Sequence, residues 1–426
     1  MRINKGSIWG LGLTLVVMIT VFACQTQRDE TTPGLEERAL ELHQKIFTVD
    51  THCDTPGNMA REGWDFGEFH PPGQRGSGQI DLPRMKQGGL DAEFFALYTA
   101  QGPLTEEGYA RARERADQLL RAIYRLAEKY PDQIGLATSP DQALELNTQG
   151  KLVAFIGMEN GYPLGRDLEM VAKYYQKGVR YITLCHSADN DICDSSTDRN
   201  DPQDKGLSEF GQQVVAECNR LGMMIDVSHA SDQTIRDVLK LSQAPVIASH
   251  SSVRTLCDHP RNLSDELIKG IAAKGGVVQI CLVSSFVKKV PPNPERDQAL
   301  AALAQKYGRW NEIKDEATRE KLRQEYEMIR EKYPSPPATV KDLVDHIDYV
   351  VKLVGIDYVG IGTDFDGGGG VEGCNDVTEL PNLTLELLRR GYNEEQIAKI
   401  WGGNLLRVFR QVEQVARQIQ AQEKHS

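Results

Sequence analysis

Short apolar runs alternate with amphipathic stretches along most of this chain. Eight runs are rich in β-branched and aromatic residues, which predicts buried strands: Ile46–His52, Asp91–Thr99, Leu152–Asn160, Val179–Ser187, Met223–His229, Pro245–Ser251, Gly276–Ser284 and Tyr358–Asp366. The stretches between and after them carry the three-to-four-residue apolar period of helices, among them Glu106–Lys129, Asp167–Gln176, Ser208–Leu221, Asp232–Leu241, Ser264–Lys274, Val340–Val354, Leu383–Arg390 and Asn393–Gln414. This α/β order predicts a (β/α)₈ barrel of the TIM type, with a doubly wound open sheet as the alternative.

Polar residues able to bind a metal or move a proton follow six of the eight predicted strands. They are His52 with Asp54, then Glu159, His186, His229, His250, and Asp364 with Asp366. The chain has nine histidines, and four of them occupy these strand ends. Because the carboxyl ends of barrel strands form one ring where active sites lie, this placement favours the barrel over the open sheet.

The first of these ends, in the stretch "VDTHCDTP", places His52 and Asp54 two residues apart. Residues two apart on a strand point to the same side, whereas the intervening Cys53 points to the other. Such a pair suits a metal site, and it equally suits a buried hydrogen-bonded pair. This stretch alone leaves both interpretations open.

Imidazole and carboxylate ligands without a CxxC motif suit Zn²⁺, and they also accept Mn²⁺, Fe²⁺ or Co²⁺. Five candidate ligands exceed the three that one catalytic zinc takes from protein. They fit two Zn²⁺ ions if Glu159 bridges, with His52 and Asp54 on one ion and His229 and His250 on the other. Two ions at such a spacing hold and acidify a bridging water. Asp364 then remains free to transfer a proton.

One segment interrupts the strand–helix rhythm after the seventh strand. Residues 290–337 lie between "VPPNP" and "YPSPP" and carry a charged helical pattern. We interpret them as a helical insertion in a catalytic barrel that spans residues 39–418. A lid, a subunit contact and a solvated decoration remain open as roles for it. Residues 419–426 are expected to be a C-terminal tail.

The N-terminus has the pattern of an export signal. Arg2 and Lys5 precede an apolar run that ends before Ala23-Cys24, which is typical of a secretory signal peptide over residues 1–23. Cys24 sits where a bacterial lipobox places its lipidated cysteine, and residues 24–38 are a polar tether. We therefore expect an exported protein that is lipid-anchored to a bacterial membrane on its periplasmic or surface side. An ordinary signal peptide and an uncleaved anchor are the alternatives.

Charge and cysteine content add two constraints. The formal net charge is -12, without basic blocks, which argues against nucleic acid as a partner. The cysteines other than Cys24 are scattered and mostly lie in apolar runs, as small buried residues do. A Cys185–Cys193 disulfide stays open, because spacing alone does not decide it.

The motifs themselves resemble those of the membrane (renal) dipeptidase family of zinc peptidases. The resemblance rests on "DTHCDTP", "GMENGYPLG", "YITLCHS", "IDVSHAS", "VIASHSSVRTLCDHPRNLSDE", "VGIGTDFDG" and the tail "ELLRRGYNEEQIAKIWGGNLLRVF", in that order, between about residues 45 and 415. Family membership implies a metal-dependent amidohydrolase-type barrel that cleaves dipeptides, including those with a C-terminal D residue. Its members are often homodimers.

The same resemblance assigns roles to individual residues. It implies that His52 and Asp54 bind one zinc, that His229 and His250 bind the second, and that Glu159 bridges them. His186 and Arg261 would bind the substrate, at the scissile carbonyl and the terminal carboxylate respectively. Asp364 would contact substrate as the acid/base, whereas we read Asp366 as a cap or as a hydrogen-bond partner of a ligand histidine.

The chain departs from the family pattern in two places. Asn160 follows Glu159 where many relatives have glycine, and the seventh strand reads "QICLV" where an Asn-Phe-Tyr pattern is common. An aromatic substrate contact is therefore missing near Val283. Two other functions stay open: a metal-dependent amidohydrolase acting on N-acyl amino acids, lactams or lactones, and a non-enzymatic metal-binding surface lipoprotein. Dipeptide turnover and metal content separate the three.

Overall fold

The computed structural model describes residues 34–74, 76–198, 203–308, 313 and 315–425. The expected signal peptide, Cys24 and most of the expected tether lie outside these residues. The first helix begins at Leu35, so residues 35–38 are helical where we expected tether. Within the described ranges, no helix combines the length and the apolar character needed to cross a bilayer.

The described strands form one parallel sheet that curls into a barrel. Their bounds are β1 Val49–Cys53, β2 Ala92–Ala96, β3 Ile134–Leu136, β4 Leu152–Glu159, β5 Val179–Thr183, β6 Met224–Asp226, β7 Ile247–Ala248, β8 Val277–Cys281 and β9 Val359–Gly362. Eight of them follow the order β1-β2-β4-β5-β6-β7-β8-β9, and a parallel bridge between Cys53 and Phe365 joins the last to the first. This confirms the predicted eight-stranded barrel and excludes the open sheet.

Strand β3 is an addition that the sequence patterns did not predict. It has three residues, and in the described structure it pairs only with the first three residues of β4. It therefore stands off the path of the barrel and does not alter the order of the eight predicted strands.

The helices lie mainly between the strands, as in a (β/α)₈ barrel. Their bounds are α1 Leu35–Lys45, α2 Pro56–Met59, α3 Leu82–Gly88, α4 Glu106–Lys129, α5 Pro140–Thr148, α6 Glu169–Gln176, α7 Glu209–Leu221, α8 Asp232–Leu241, α9 Asp265–Ala273, α10 Ser284–Val287, α11 Pro294–Tyr307, α12 Glu316–Lys332, α13 Val340–Val354, α14 Pro381–Arg389, α15 Glu394–Ala398 and α16 Asn404–Glu423. A π-helical turn, Lys399–Gly403, separates α15 from α16, so the helix predicted over Asn393–Gln414 is broken at its glycine pair.

Local capping explains where several of these helices start. Ser208 and Ser264, the first residues of two predicted helical stretches, are N-caps and accept hydrogen bonds from the backbone N–H of Gly211 and Leu267. Thr339 forms a capping box at the start of α13. Each such cap stabilises the protein by about 1 kcal/mol, and the caps set the helix starts that follow the barrel strands.

The two ends of the barrel differ in what covers them. Residues at the amino ends of the strands, such as Val49, Ala92 and Val277, share a buried cluster with Leu405 and Phe409 of α16. Helix α16 therefore closes the amino end with apolar packing. The carboxyl end carries the polar strand-end residues, which leaves that end for chemistry.

Residues 290–337 contain the expected helical insertion, formed by α11 and α12. Arg323 and Glu327 of α12 line a small cavity together with Gln79 and Asp366. Because Asp366 also lines the main cavity at the carboxyl end, the insertion lies beside the barrel mouth.

Candidate metal centre

Four predicted site residues, all histidines, converge on the carboxylate of Glu159, the last residue of β4. Glu159 Oε2 lies 3.5 Å from His52 Nε2. Its Oε1 lies 3.2 Å from His229 Nε2, 3.7 Å from His250 Nε2 and 3.5 Å from His186 Nε2. One carboxylate therefore faces four imidazoles, which places Glu159 at the centre of the group, as a bridging ligand requires.

Asp54 and Asp364 border the same group on the side of His52. Asp54 Oδ2 lies 3.7 Å and Asp364 Oδ1 4.0 Å from His52 Nε2. The backbone holds them there, because Asp54 N donates to Phe365 O at 2.8 Å and Asp364 N donates to His52 O at 3.0 Å. The closure of the barrel between β1 and β9 thus brings these two carboxylates together.

Several polar atoms in this group are buried without a hydrogen-bond partner. Those on the side of His52 are His52 Nε2, Asp54 Oδ1 and Glu159 Oε2, and His186 Nδ1 and His229 Nδ1 also lack a partner. Buried polar atoms are normally satisfied, so the three atoms on the side of His52 point to a ligand that they share. His229 Nε2 and His250 Nε2 lie 2.9 Å apart, close to the separation of about 3.3 Å for two nitrogens on one tetrahedral zinc.

Three overlapping sets of side chains satisfy the spacing of a metal site. Within each set, one ligand atom from every residue lies within 4.8 Å of the others. The sets are His52 with Glu159 and His250, Glu159 with His186 and His229, and His52 with Asp54 and Asp364. The donor set of imidazole and carboxylate is chemically suited to zinc and to related divalent ions.

Two of the imidazoles are anchored through their second ring nitrogen. His52 Nδ1 lies 2.9 Å from the Tyr181 hydroxyl. His250 Nδ1 lies 2.8 Å from Ser249 Oγ, which donates to Asp226 Oδ2 at 2.6 Å. Such partners orient a ligand histidine and select its tautomer, so both Nε2 atoms are directed at Glu159.

The sequence analysis missed these anchoring residues. Tyr181 lies inside the strand run "VRYIT" and Asp226 inside "IDVSH", and both were taken as part of the apolar strands. A carboxylate inside an otherwise apolar strand was the available signal, because a fully buried Asp needs a polar partner. Asp226 has those partners in Ser249 and in Thr183.

The environment raises the pKa of two carboxylates of the centre and lowers the pKa of the third. Burial raises the pKa of Asp364 to about 8. The charge of His52 opposes this rise, and the charges of Asp54 and Glu159 add to it. Burial and Glu159 likewise raise the pKa of Asp54 to about 6. Burial also disfavours the charged form of Glu159, but the surrounding imidazoles, His52 first, hold its pKa well below the usual range.

The backbone is strained where the strands end at this site. His229, Asp364 and Asp366 have φ of 68°, 59° and 64°, in the left-handed region that most residues avoid. Asn160 has φ of 76°, which explains why glycine is common at this position and why Asn, which tolerates this region, can replace it. A side chain at Gly367 would collide with the carboxylates of Asp54 and Asp364.

The centre lies in a cavity of ≈ 810 Å³ that opens at the barrel mouth. Arg261 lines it, is 5% exposed and donates to His250 O at 3.1 Å. No ion pair joins Arg261 to Asp258 or Asp265 among the described residues, and its guanidinium carbon lies 5.4 Å from the centre of the Phe286 ring. His186 also faces the cavity, with its ring 4.8 Å from that of Tyr98.

Asp366 is held by hydrogen bonds to two neighbouring loops. Its Oδ2 accepts from Thr55 Oγ1 at 2.6 Å and its Oδ1 from Gln79 N at 2.9 Å. Neither oxygen accepts from a ligand histidine or from a helix N-terminus in the described structure, so neither expected role is found there. The reason is the positive φ at Asp366, which turns its side chain toward the loops around Thr55 and Gln79.

Comparison with known proteins covers almost the whole described chain. Residues 36–423 match the family model described as membrane dipeptidase (peptidase family M19). "Dipeptidase 3" of Mus musculus is 33% identical over 389 residues, 90% of this chain and 68% of that protein. "Dipeptidase aclJ" of Aspergillus oryzae is 33% identical over 349 residues, 80% of this chain and 72% of that protein.

A solved structure shows the same fold. The crystal structure of the probable dipeptidase PvdM from Pseudomonas aeruginosa superposes with a TM-score of 0.79 at 34% identity, and the match covers 90% of this chain and 99% of that one. The similarity therefore spans most of the chain and is not confined to the strand-end motifs.

Proposed function

The chain belongs to the membrane dipeptidase family, peptidase family M19, and is a peptide-bond hydrolase; on that premise we propose that it is a binuclear zinc-dependent dipeptidase. The observation that carries the proposal is the convergence of four imidazoles on Glu159, with buried atoms that lack partners. Those residues would hold two ions, with His52 and Asp54 on one, His229 and His250 on the other, and Glu159 on both.

The charge balance of the centre supports two divalent cations. Asp54, Glu159 and Asp364 are three carboxylates around one buried point, and burial first, then their mutual repulsion, raises the pKa of Asp54 and of Asp364. Two bound cations would offset that repulsion. When bound, they supply a hydroxide nucleophile at neutral pH and polarise the scissile carbonyl.

Asp364 is the proposed acid/base. Its carboxylate faces the cavity from the end of β9, next to Asp54 and His52. Cys281 Sγ is 3.9 Å from its Oδ2, a weak contact that leaves the carboxylate able to take and return a proton. A group in this position can accept the proton of the nucleophile and deliver it to the leaving amine.

His186 and Arg261 are the proposed substrate-binding residues. His186 lies between Glu159 and the cavity, where its imidazole can donate to the oxygen of the scissile carbonyl. The Arg261 guanidinium is buried at the cavity wall, so it can bind a terminal carboxylate in a setting with little solvent screening. With His186 at the scissile carbonyl and Arg261 at the terminal carboxylate, the site would select substrates with one residue after the cleaved bond.

A dipeptide panel tests this function. Purified protein is assayed on free dipeptides with L and D residues at the C-terminal position, on N-acyl amino acids and on lactams, with chelator and with added Zn²⁺. Chelator-sensitive turnover of dipeptides is expected, together with about two metals per chain. Turnover of acyl amino acids or lactams alone would favour the broader amidohydrolase function, and metal without any turnover would favour a binding protein.

We also propose export and lipid anchoring through Cys24. The support is the charged and apolar segment before Cys24 and the polar residues after it. Cys24→Ser should move the protein out of the membrane fraction or leave its signal uncleaved, as fractionation and mass measurement would show. A wild-type protein that is already free of the membrane after export would contradict the anchor.

A further inference from the structure

The cavity has a second cationic wall that the proposed chemistry does not use. Arg61, in the turn after α2, and Arg115, in α4, both line the cavity that holds the metal centre. Arg61 is exposed and Arg115 is half-buried. Neither makes an ion pair with a carboxylate of the described chain.

Some shielded arginines of this chain bind carboxylates, whereas others, such as Arg180 and Arg407, donate to backbone carbonyl oxygens. Arg84 Nε donates to Asp81 at 2.6 Å, and Arg254 makes two hydrogen bonds of 2.7 Å to Asp232. The one side-chain hydrogen bond that the described structure gives Arg115 runs to Gln118 Oε1 at 2.8 Å. Most of its N–H donors therefore remain available on the cavity side.

The two guanidinium groups also lie close enough to repel each other. Burial lowers the pKa of Arg115, and the charge of Arg61 lowers it further. Placing like charges together without a counterion costs free energy, and an anion bound between them would recover it. Gly57 leaves the Arg115 guanidinium open to the cavity. A Cβ at this position would lie 3.7 Å from Arg115 Nη2, so a larger side chain would cover the guanidinium.

Strand order shows where this wall lies relative to Arg261. Arg115 comes from the helix after β2, and Arg261 from the loop after β7. In the ring β1-β2-β4-β5-β6-β7-β8-β9, these strands are four places apart in either direction. The two cationic groups therefore enter the mouth from opposite sides, with the metal centre between them.

We propose that Arg61 and Arg115 form an anion-binding subsite for the side chain of the substrate's N-terminal residue, which makes dipeptides that begin with Glu or Asp preferred substrates. This inference rests on the proposed dipeptidase function. With the terminal carboxylate on Arg261 and the scissile bond at the metal centre, the N-terminal residue extends toward the opposite wall. Paired guanidinium groups recognise carboxylates through directed, charge-assisted hydrogen bonds.

The test compares substrates that differ only in this charge. We expect wild-type kcat/KM to be roughly tenfold higher for Glu-Ala than for Gln-Ala, the scale of a charge-assisted contact at a partly exposed site. Asp-Ala and Asn-Ala form a second pair. The ratio should fall with added salt, because Arg61 is exposed and its charge is screened.

Variants then assign the preference to these residues. In Arg61→Gln/Arg115→Gln, the Glu-Ala to Gln-Ala ratio should fall to near unity, and in Arg115→Glu the enzyme should favour Lys-Ala over Gln-Ala. Arg121→Gln, an exposed position of the same helix outside the cavity, is the matched control and should keep the wild-type ratio. Metal content and Tm confirm that each variant is folded.

The outcomes separate this inference from the proposed function. Hydrolysis of Gln-Ala and Glu-Ala at equal rates by the wild type would overturn the subsite and leave the dipeptidase function intact. A preference that survives the double substitution would also overturn it. Failure to hydrolyse any dipeptide would overturn the proposed function, and the substrate subsite with it.

Discussion

Two walls of the same cavity are built in different ways. The strand wall consists of groups at the ends of barrel strands, namely Asp54, Glu159, His186, His229 and Asp364, together with His52 and His250, which are buried against Glu159. The helix wall consists of Arg61, Arg115 and Gln118, from α4 and the turn after α2. Most strand-wall groups are buried, and His52 and His250 are held by hydrogen bonds to Tyr181 and Ser249, whereas Arg61 and Gln118 are exposed.

This difference separates chemistry from selectivity. Metal ligands must keep their positions within a fraction of an ångström. The end of a barrel strand is rigid enough for this, because backbone hydrogen bonds join the strand to the strands on both sides. His52, for example, is fixed by its strand and by Tyr181. Long arginine side chains on helices adapt to different ligands, so they can rank substrates without disturbing the reacting centre.

The largest effect is expected at Glu159, the centre of the strand wall. Glu159→Gln should lose both metals together and nearly all activity, because one carboxylate serves both ions and a neutral amide is a poor ligand. Metal stoichiometry of the purified variant checks this. Arg115→Gln, in the helix wall, should keep the wild-type metal content. Two tightly bound metals in Glu159→Gln would contradict the bridging role.

The next effect is expected at Asp364, where the strand wall meets the substrate. Asp364→Asn should keep its metals yet lose activity by roughly 10²-fold to 10⁴-fold, the range for a general acid–base group. Asp366→Asn, which alters a carboxylate bound to Thr55 and Gln79, should be far less impaired in kcat. Near-normal turnover in Asp364→Asn would reject the assignment, and loss of metal would identify Asp364 as a ligand.

Loss of the hydrogen bond that anchors His52 should weaken metal binding less than loss of the Glu159 carboxylate. Tyr181→Phe removes the hydroxyl that holds His52 Nδ1, so affinity for metal should fall by about 10-fold to 100-fold. Tyr174→Phe is the matched control, because Tyr174 is also buried but its hydroxyl has no hydrogen-bond partner. Equal metal affinities in the two variants, measured by competition with a chelator, would show that the anchor is dispensable.

Arg261 has the smallest expected effect of these residues, because it binds the part of the substrate that does not react. Arg261→Ala should lower kcat/KM on free dipeptides by roughly 10-fold to 100-fold, the loss of one charge-assisted contact. It should lose much less on dipeptides amidated at the C-terminus, which the wild type should already hydrolyse poorly. Equal wild-type rates on free and amidated dipeptides would refute this contact.

The sequence by itself determined the order of the elements and the groups at the strand ends. Strand runs and helix periods depend on neighbours in the chain, so eight barrel strands and helices such as Glu106–Lys129 and Asp232–Leu241 could be predicted. The caps at Ser208 and Ser264 are local in the same way. Once the fold is a parallel barrel, histidines and carboxylates that follow the strands must share one end.

Only the tertiary structure decided which of those groups touch, and what else joins them. The pair His52 and Asp54 became part of a larger centre because Glu159, 107 positions after His52 in the chain, faces the same point. The anchoring of His52 by Tyr181 and the meeting of Arg61 with Arg115 likewise join residues far apart in the chain. Such contacts depend on strand order, on side-chain direction and on backbone turned to positive φ at His229 and Asp364, and none of these follows from a local pattern of apolar and polar residues.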